Sequence, residues 1–341
     1  MLLKKLTVSF VLSLSILLNT SSIFALTVIP GGESIGIQLD YQGVMITGGY
    51  EITVEGNKYN PLQESGLAVG DLIVEANNES VDTIASLSSV ITNSITQDSH
   101  TVHLVVKRNN EQINKDINIS YDVSTKQFST GLYVKDSLLG VGTMTYYNPE
   151  TKSFGSLGHA MNDIDLNDQA LIKAGTIYQS RVTGIKKGSQ AAAGQKIAEI
   201  NDVAIGSIDD HSQFGIYGKY DESALPSKDT METASISEVK LGKAYFLTVL
   251  NGTDIVKCEI NITHLADQKK MDQKGITFEI TDSKVLEKTN GIIQGMSDSP
   301  IIQDDKLIGC VTHVSSSNPT SGYGLYIEWM LEMDNQEKNG Q

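Results

Sequence analysis

The chain reads as mainly β: an α+β module followed by about 200 residues of short strands in a barrel or sandwich. Apolar and polar residues alternate in Leu132-Tyr133-Val134, Gly140 to Tyr147, Ile172 to Tyr178, Ala244 to Leu250 and Asp254 to Ile262. Asn148-Pro149-Glu150 and Asn251-Gly252 separate such runs as hairpin turns. Beyond Thr130, helical periodicity is absent until Tyr326 to Met333. The 341 residues exceed one typical domain and suit two, and 40% hydrophobic content allows an ordinary core. The net charge of -15, with arginine only at Arg108 and Arg181, argues against nucleic acid and against broad adhesion to anionic lipid.

Residues 1–25 form an export signal or a retained membrane anchor. Lys4 and Lys5 precede the apolar run Leu6 to Leu18, and Asn19 to Ser22 is polar. Ala25 offers a cleavage site, although Ile23 is large for its position; the run is also short for a span of about 20 residues. Either way, the remainder is expected outside the cytoplasm.

Residues 26–121 are read as the α+β module. Ser34-Ile35-Gly36-Ile37-Gln38-Leu39 begins one strand and Val44-Met45-Ile46-Thr47 forms a second. In Ser65-Gly66-Leu67-Ala68-Val69-Gly70-Asp71-Leu72-Ile73-Val74-Glu75-Ala76-Asn77, turns flank a buried strand. Ile84, Leu87, Val90 and Ile91 then follow a helical spacing, which Asp82 or Thr83 can cap. Thr101–Lys107 and Ile113–Ile119 close the module as a hairpin through Asn109-Asn110. This pattern resembles a bacterial PDZ domain. The resemblance implies peptide binding by strand addition beside a carboxylate-binding loop at Ser34, Ile35, Gly36 and Ile37.

The polar residues 122–128 suggest a linker, 129–334 a second, all-β domain, and 335–341 a polar tail. Cys258 and Cys310 lie in alternating apolar runs and read as buried strand residues. No Cys-x-x-Cys or paired-histidine motif suggests zinc.

The candidate chemistry centres on Gly295-Met296-Ser297-Asp298-Ser299-Pro300, a small-residue turn followed by two strands. A two-barrel serine peptidase presents its nucleophile in this way, with the N–H groups of Gly295 and Ser297 facing one oxyanion. Of the six histidines, His159 in Gly155-Ser156-Leu157-Gly158-His159-Ala160 has the small neighbours a general base needs. His313, on the strand after the serine turn, is its competitor. Asp163, Asp165 and Asp282 are each candidates to orient the imidazole. Covalent serine chemistry requires no cofactor.

With these residues placed, the chain resembles the stage IV sporulation protein B family, PDZ-containing serine peptidases of endospore-forming bacteria. The resemblance rests on "VIPGGESIGI", "GLYVKDSLLGVGTMTYYNPETKSFGSLGHA", "ITDSKVLEKTNGIIQGMSDSPIIQDDKLIGCVTHV" and "NPTSGYGLYIEWML". It implies a chymotrypsin-like double β-barrel with His159 as base, Asp282 as orienting acid and Ser297 as nucleophile. It also implies location between forespore and mother-cell membranes, self-cleavage, and cleavage of a regulatory subunit of a membrane-embedded metalloprotease complex. That cleavage would lead to activation of the late mother-cell sigma factor.

One residue departs from the family pattern Ser-Gly-Ser-Pro: Asp298 follows Ser297. Two unit charges about 5–6 Å apart repel by a few kcal/mol at an effective dielectric of about 20, roughly a hundredfold in rate. A carboxylate beside the oxyanion is therefore expected to slow catalysis, unless it points to solvent. The alternative reading is a catalytically impaired paralogue acting as a PDZ-mediated scaffold.

Overall fold

The computed structural model describes residues 26–95, 100–159, 172–189, 192–225, 227–267 and 269–339, without the side chains of 335–339. Along the chain, β1 (Thr27–Pro30) and β2 (Ser34–Gly49) are followed by the hairpin β3 (Ile52–Val54) and β4 (Asn57–Tyr59). Helix α1 (Pro61–Glu64), β5 (Leu72–Ala76), β6 (Glu79–Ser80) and helix α2 (Ile84–Ser94) come next. Then come β7 (Thr101–Arg108), β8 (Glu111–Asn118), β9 (Ser120–Asp122) and β10 (Gln127–Ser129). Thr83 caps α2 in a reciprocal capping box with Ser86. Asp71, fully buried, holds Arg108 through Oδ1–Nε at 2.6 Å and Oδ2–Nη2 at 2.7 Å, pinning the turn before β5 to the end of β7.

The next six elements are β11 (Leu132–Asn148), β12 (Ser153–Ser156), β13 (Ile172–Lys186), β14 (Gln195–Ser212), β15 (Gly215–Tyr220) and β16 (Met231–Thr233). They are followed by β17 (Gly242–Val249), β18 (Ile255–Leu265), β19 (Ile276–Ile280) and helix α3 (Ser283–Thr289). The chain ends with β20 (Pro300–Gln303), β21 (Lys306–Val314), β22 (Ser321–Tyr326) and helix α4 (Ile327–Asn339).

Two closed antiparallel barrels of the same topology emerge from the pairings. The first comprises β2, β11, β12, β13, β14 and β15. The second comprises β17, β18, β19, β20, β21 and β22. In each, the first strand pairs with the second and fourth, the third with the second and sixth, and the fifth with the fourth and sixth. The repeat is invisible in the sequence because it lies in the strand order, and order is not written in residue identity. The expected double barrel with a PDZ module is the observed architecture.

The first barrel encloses Ile35, Ile37, Leu39, Met144, Phe154, Ile177 and Ile216. The second encloses Phe246, Cys258, Ile260, Phe278, Ile301 and Val311. Between them lie Val28, Tyr146, Tyr217, Ile302, Cys310, Leu325 and Met330, so β1 and α4 seal the seam. Both cysteines are buried and free.

The domain boundaries differ from those expected. β2 is one strand where two were predicted. Its first half, Ser34 to Asp40, pairs with β11 and β13 of the barrel, and its second half, Val44 to Gly49, belongs to the PDZ sheet. Gly43, where a Cβ would lie 2.3 Å from the Ile73 carbonyl, marks the change of partner. Residues 26–41 therefore belong to the barrel, and the PDZ module is inserted between the barrel's first two strands. The expected linker 122–128 instead lies largely in a hairpin, with Asp122, Tyr121 and Ser120 opposite Gln127, Phe128 and Ser129. Asp122 organises its turn by accepting from Ser124 N and Oγ.

Candidate active site

His159 and Ser297 occupy corresponding places: each lies in the connection between the third and fourth strands of its own barrel. The two connections meet at the seam. The Gly158 N–H donates to Asp298 Oδ1 at 3.1 Å, so the residue before the histidine is bonded to the residue after the serine. The His159 and His313 rings lie 5.4 Å apart, centroid to centroid. Ser297 is half-buried, and its hydroxyl donates to the Thr312 carbonyl across a long 3.4 Å. Both candidate groups thus flank Thr312 and His313. Gly158 is required by this proximity, since a Cβ there would lie 2.6 Å from Cys310 Sγ and 2.7 Å from Thr312 Cγ2.

Gly295 adopts φ +88°, and a Cβ there would press on the Lys196 side chain at 3.0 Å. The Gly295 carbonyl turns inward to accept from Thr143 Oγ1 at 2.7 Å. Met296 N–H is used by the Ile293 carbonyl. Among the described residues, no hydrogen bond from the Gly295 or Ser297 N–H to a backbone acceptor is seen.

His313 is held neutral. Burial, then the neighbouring His159 and Lys274, lower its pKa to about 4, and among the described residues its buried Nδ1 has no hydrogen-bond partner.

Asp298 departs most from expectation. Its side chain is fully buried and does not point to solvent. The residue takes φ +76°, a left-handed conformation that Asp tolerates better than most residues. Burial raises its pKa; the N–H groups of Thr143 and Gly158, the charge of Lys196 and the Leu157 N–H act against that rise. Lys196 was not anticipated. It is buried, pushed down to about 7 by desolvation against the pull of Asp298, and donates to Thr143 Oγ1 at 3.1 Å and Thr248 Oγ1 at 2.8 Å. It shares a face of β14 with Ala198 and Ile200, and that alternation was its only signal in the sequence.

The structure does not bring Asp282 to the imidazole. Its carboxylate caps α3, accepting from Lys284 N at 2.9 Å and Val285 N at 3.1 Å. Its own N–H donates to Glu259 O on β18, three strands round the barrel wall from the His313-bearing β21. Asp163 and Asp165 lie outside the described residues. No cluster of three His, Cys, Asp or Glu side chains able to hold a metal occurs among the described residues, and none of their helices is long and apolar enough to cross a membrane.

The expected peptide loop is likewise displaced. Ile35, Gly36 and Ile37 are paired with β11 on one edge and β13 on the other, with Ser34 opposite Thr143, so this stretch offers no free strand edge. The place beside Met45 to Gly49 in the PDZ sheet is taken by Leu132 to Lys135 of β11. Among the described residues, the other edge of that segment pairs with no strand. A cavity of about 160 Å³ separates it from α2, lined by Ile84, Leu87, Ser88, Ile91, Leu132 and Val134 among others. The preceding Ser129-Thr130-Gly131-Leu132 repeats the small-x-Gly-apolar pattern of Ser34–Ile37, with Gly131 at φ +66°. That repetition was the signal available in the sequence.

Comparison with known proteins follows this division. A family model of the PDZ domain matches residues 34–119. Among solved structures, the Rv3671c protease in its inactive form aligns with 12% identity and a TM-score of 0.34, covering 57% of this chain and 83% of that one. No curated protein gives a significant match. The family model described as SpoIVB peptidase S55 matches residues 126–331, more than half of the chain. The chain is a member of the SpoIVB S55 peptidase family, with a PDZ domain set into its first barrel.

Proposed function

We propose that the protein is an exported serine endopeptidase in which His159 and Ser297 carry the chemistry. The observation that supports this most directly is the meeting of the two connections at the seam, Gly158 N–H on Asp298 Oδ1, with Ser297 half-buried beside them. In this reading His159 takes the Ser297 hydroxyl proton as Oγ attacks the scissile carbonyl. The N–H groups of Gly295 and Ser297 hold the oxyanion. The imidazolium then gives its proton to the leaving amine, and water, deprotonated by His159, releases the acyl group. His313, neutral at working pH, adds no positive charge to oppose the imidazolium.

The substrate is a protein. By family membership we assign it as a regulatory subunit of a membrane-embedded protease complex, together with the enzyme's own N-terminal region. Cleavage in the space between forespore and mother-cell membranes would release activation of the late mother-cell sigma factor. Residues 1–25 would export the chain or tether it there. Peptide tails would add as a strand to the open edge of Leu132–Lys135, with apolar side chains in the cavity against α2.

The scaffold reading rested on Asp298 as a source of repulsion. The inward-facing carboxyl group, bonded to the Gly158 amide, speaks against that ground. The deciding experiment is labelling of the purified protein with a fluorophosphonate. Modification of Ser297, lost in Ser297→Ala and in His159→Ala, supports the peptidase. An unmodified Ser297 in the folded wild type returns the protein to the scaffold class.

A further inference from the structure

Asp298 is held in place by its own backbone before its side chain makes any contact. Its N–H donates to the Val311 carbonyl at 2.7 Å, and its carbonyl accepts from Thr145 Oγ1 at 2.8 Å. The carboxylate therefore projects into the seam, where Oδ1 receives the Gly158 N–H. Oδ2 lies over Gly142 of β11, where a Cβ would sit 2.9 Å away, so a glycine makes the seat. Close by, the Lys196 ammonium is bonded to Thr143 Oγ1 and Thr248 Oγ1, and the same Thr143 hydroxyl donates to the carbonyl of Gly295. One buried polar network thus joins the histidine turn, the serine turn, the oxyanion turn and strands of both barrels.

We propose that Asp298 is a positioning residue: its carboxyl group latches the histidine turn onto the serine turn and so fixes the approach of His159 to Ser297. This rests on the reading of His159 and Ser297 as base and nucleophile. A buried carboxylate and a buried ammonium are costly to keep and stabilise little beyond what apolar residues of the same volume would. Their placement between the two candidate catalytic turns gives that cost a use. A misplacement of about 1 Å between reacting groups can cost 100-fold in rate, which is the scale such a latch controls.

The reading reverses the expectation that Asp298 weakens catalysis, and the two make opposite predictions for Asp298→Gly. Two quantities are measured on full-length wild type, Asp298→Gly, Asp298→Asn and the double variant Lys196→Met/Asp298→Gly. The first is the rate of fluorophosphonate labelling at Ser297. The second is hydrogen exchange of the Gly158 amide. The double variant carries no unpaired buried ammonium and guards against misfolding of the single glycine variant. Asp298→Gly and the double variant are expected to label at least tenfold more slowly, with faster Gly158 exchange. Asp298→Asn, which keeps an acceptor for Gly158, is expected to recover most of both. Equal or faster labelling in Asp298→Gly, or unchanged Gly158 exchange, overturns the proposal. Absence of labelling in wild type removes the peptidase reading and the positioning role with it, and is recognised because the wild-type protein alone reports it.

Discussion

Gly158 and Asp298, 140 positions apart in sequence, share a hydrogen bond of 3.1 Å at the seam between the barrels. The bond makes the relative placement of two distant turns a local property of one amide and one carboxylate.

Lys196 gives the fold a signature in alkali. Its folded pKa, about 7, lies below the unfolded value near 10.5. Between these the unfolded chain binds the extra proton, so this group makes stability rise with pH across that window. Asp298, with its pKa raised, acts in the opposite direction from about pH 4 upward, because there the folded state holds the extra proton. Comparing Lys196→Met with wild type isolates the first effect. The stability difference, from urea unfolding at pH 7.5 to 9.5, is expected to move in the variant's favour as pH falls, by up to about 1.4 kcal/mol per unit. A difference independent of pH rules out a buried, neutralised lysine.

His313 is expected to support the site without acting as its base. His159→Phe should reduce labelling of Ser297 by about 1,000-fold or more, on the scale of losing a catalytic base, and His313→Phe by less than tenfold. Because His313 binds its proton only near pH 4 when folded and near 6.5 when unfolded, it lowers stability as pH falls through that interval. His313→Phe should flatten the acid limb of the stability curve, read from thermal midpoints at pH 4 to 7. A reversal of the two labelling effects would make His313 the base.

Asp282 is predicted to be a helix cap. Asp282→Ala should cost about 1 kcal/mol of stability, whereas Asp282→Asn, another good cap, should cost little. If the carboxylate oriented the imidazole, Asp282→Asn would lower turnover about 10,000-fold while leaving the fold intact. Labelling rates of the folded Asn variant within tenfold of wild type are the expected result.

The two segments proposed for peptide docking separate cleanly by mutation. Ile35 is completely buried in the first barrel, so Ile35→Ala should destabilise by about 2–5 kcal/mol without altering peptide affinity of the folded protein. Ser88→Trp, on the α2 wall of the cavity, should weaken binding of a fluorescent peptide with an apolar, free C-terminus at least tenfold and leave labelling unchanged. Anisotropy titrations in which Ile35→Ala abolishes binding and Ser88→Trp does not would restore Ser34–Ile37 as the docking loop.

That the turns bearing His159 and Ser297 would meet was suggested by the small residues around each, which stand out in a string. Asp282 also carried its answer, since Asp before Ser283-Lys284-Val285-Leu286 is a capping pattern as readily as a catalytic one. The partner of a strand was another matter. Ser34 to Gly49 alternates correctly for any sheet, and nothing along it says that Ile37 faces Ile177 while Val44 faces Ile73. Alternation fixes a face; the edge is chosen by the rest of the chain. The direction of Asp298 was hidden for a related reason. Its charge is written in the sequence, but its direction depends on Gly142 and Gly158, remote glycines that open the space it turns into.

The insertion point has a structural corollary. Asp40 and Ser137 face each other across the ribbon that leads out to the PDZ module, so a tight turn between them would close the first barrel as a plain hairpin. The PDZ module thus sits as an insertion at one hairpin tip, and its removal at that point would leave the strand pairings of both barrels intact.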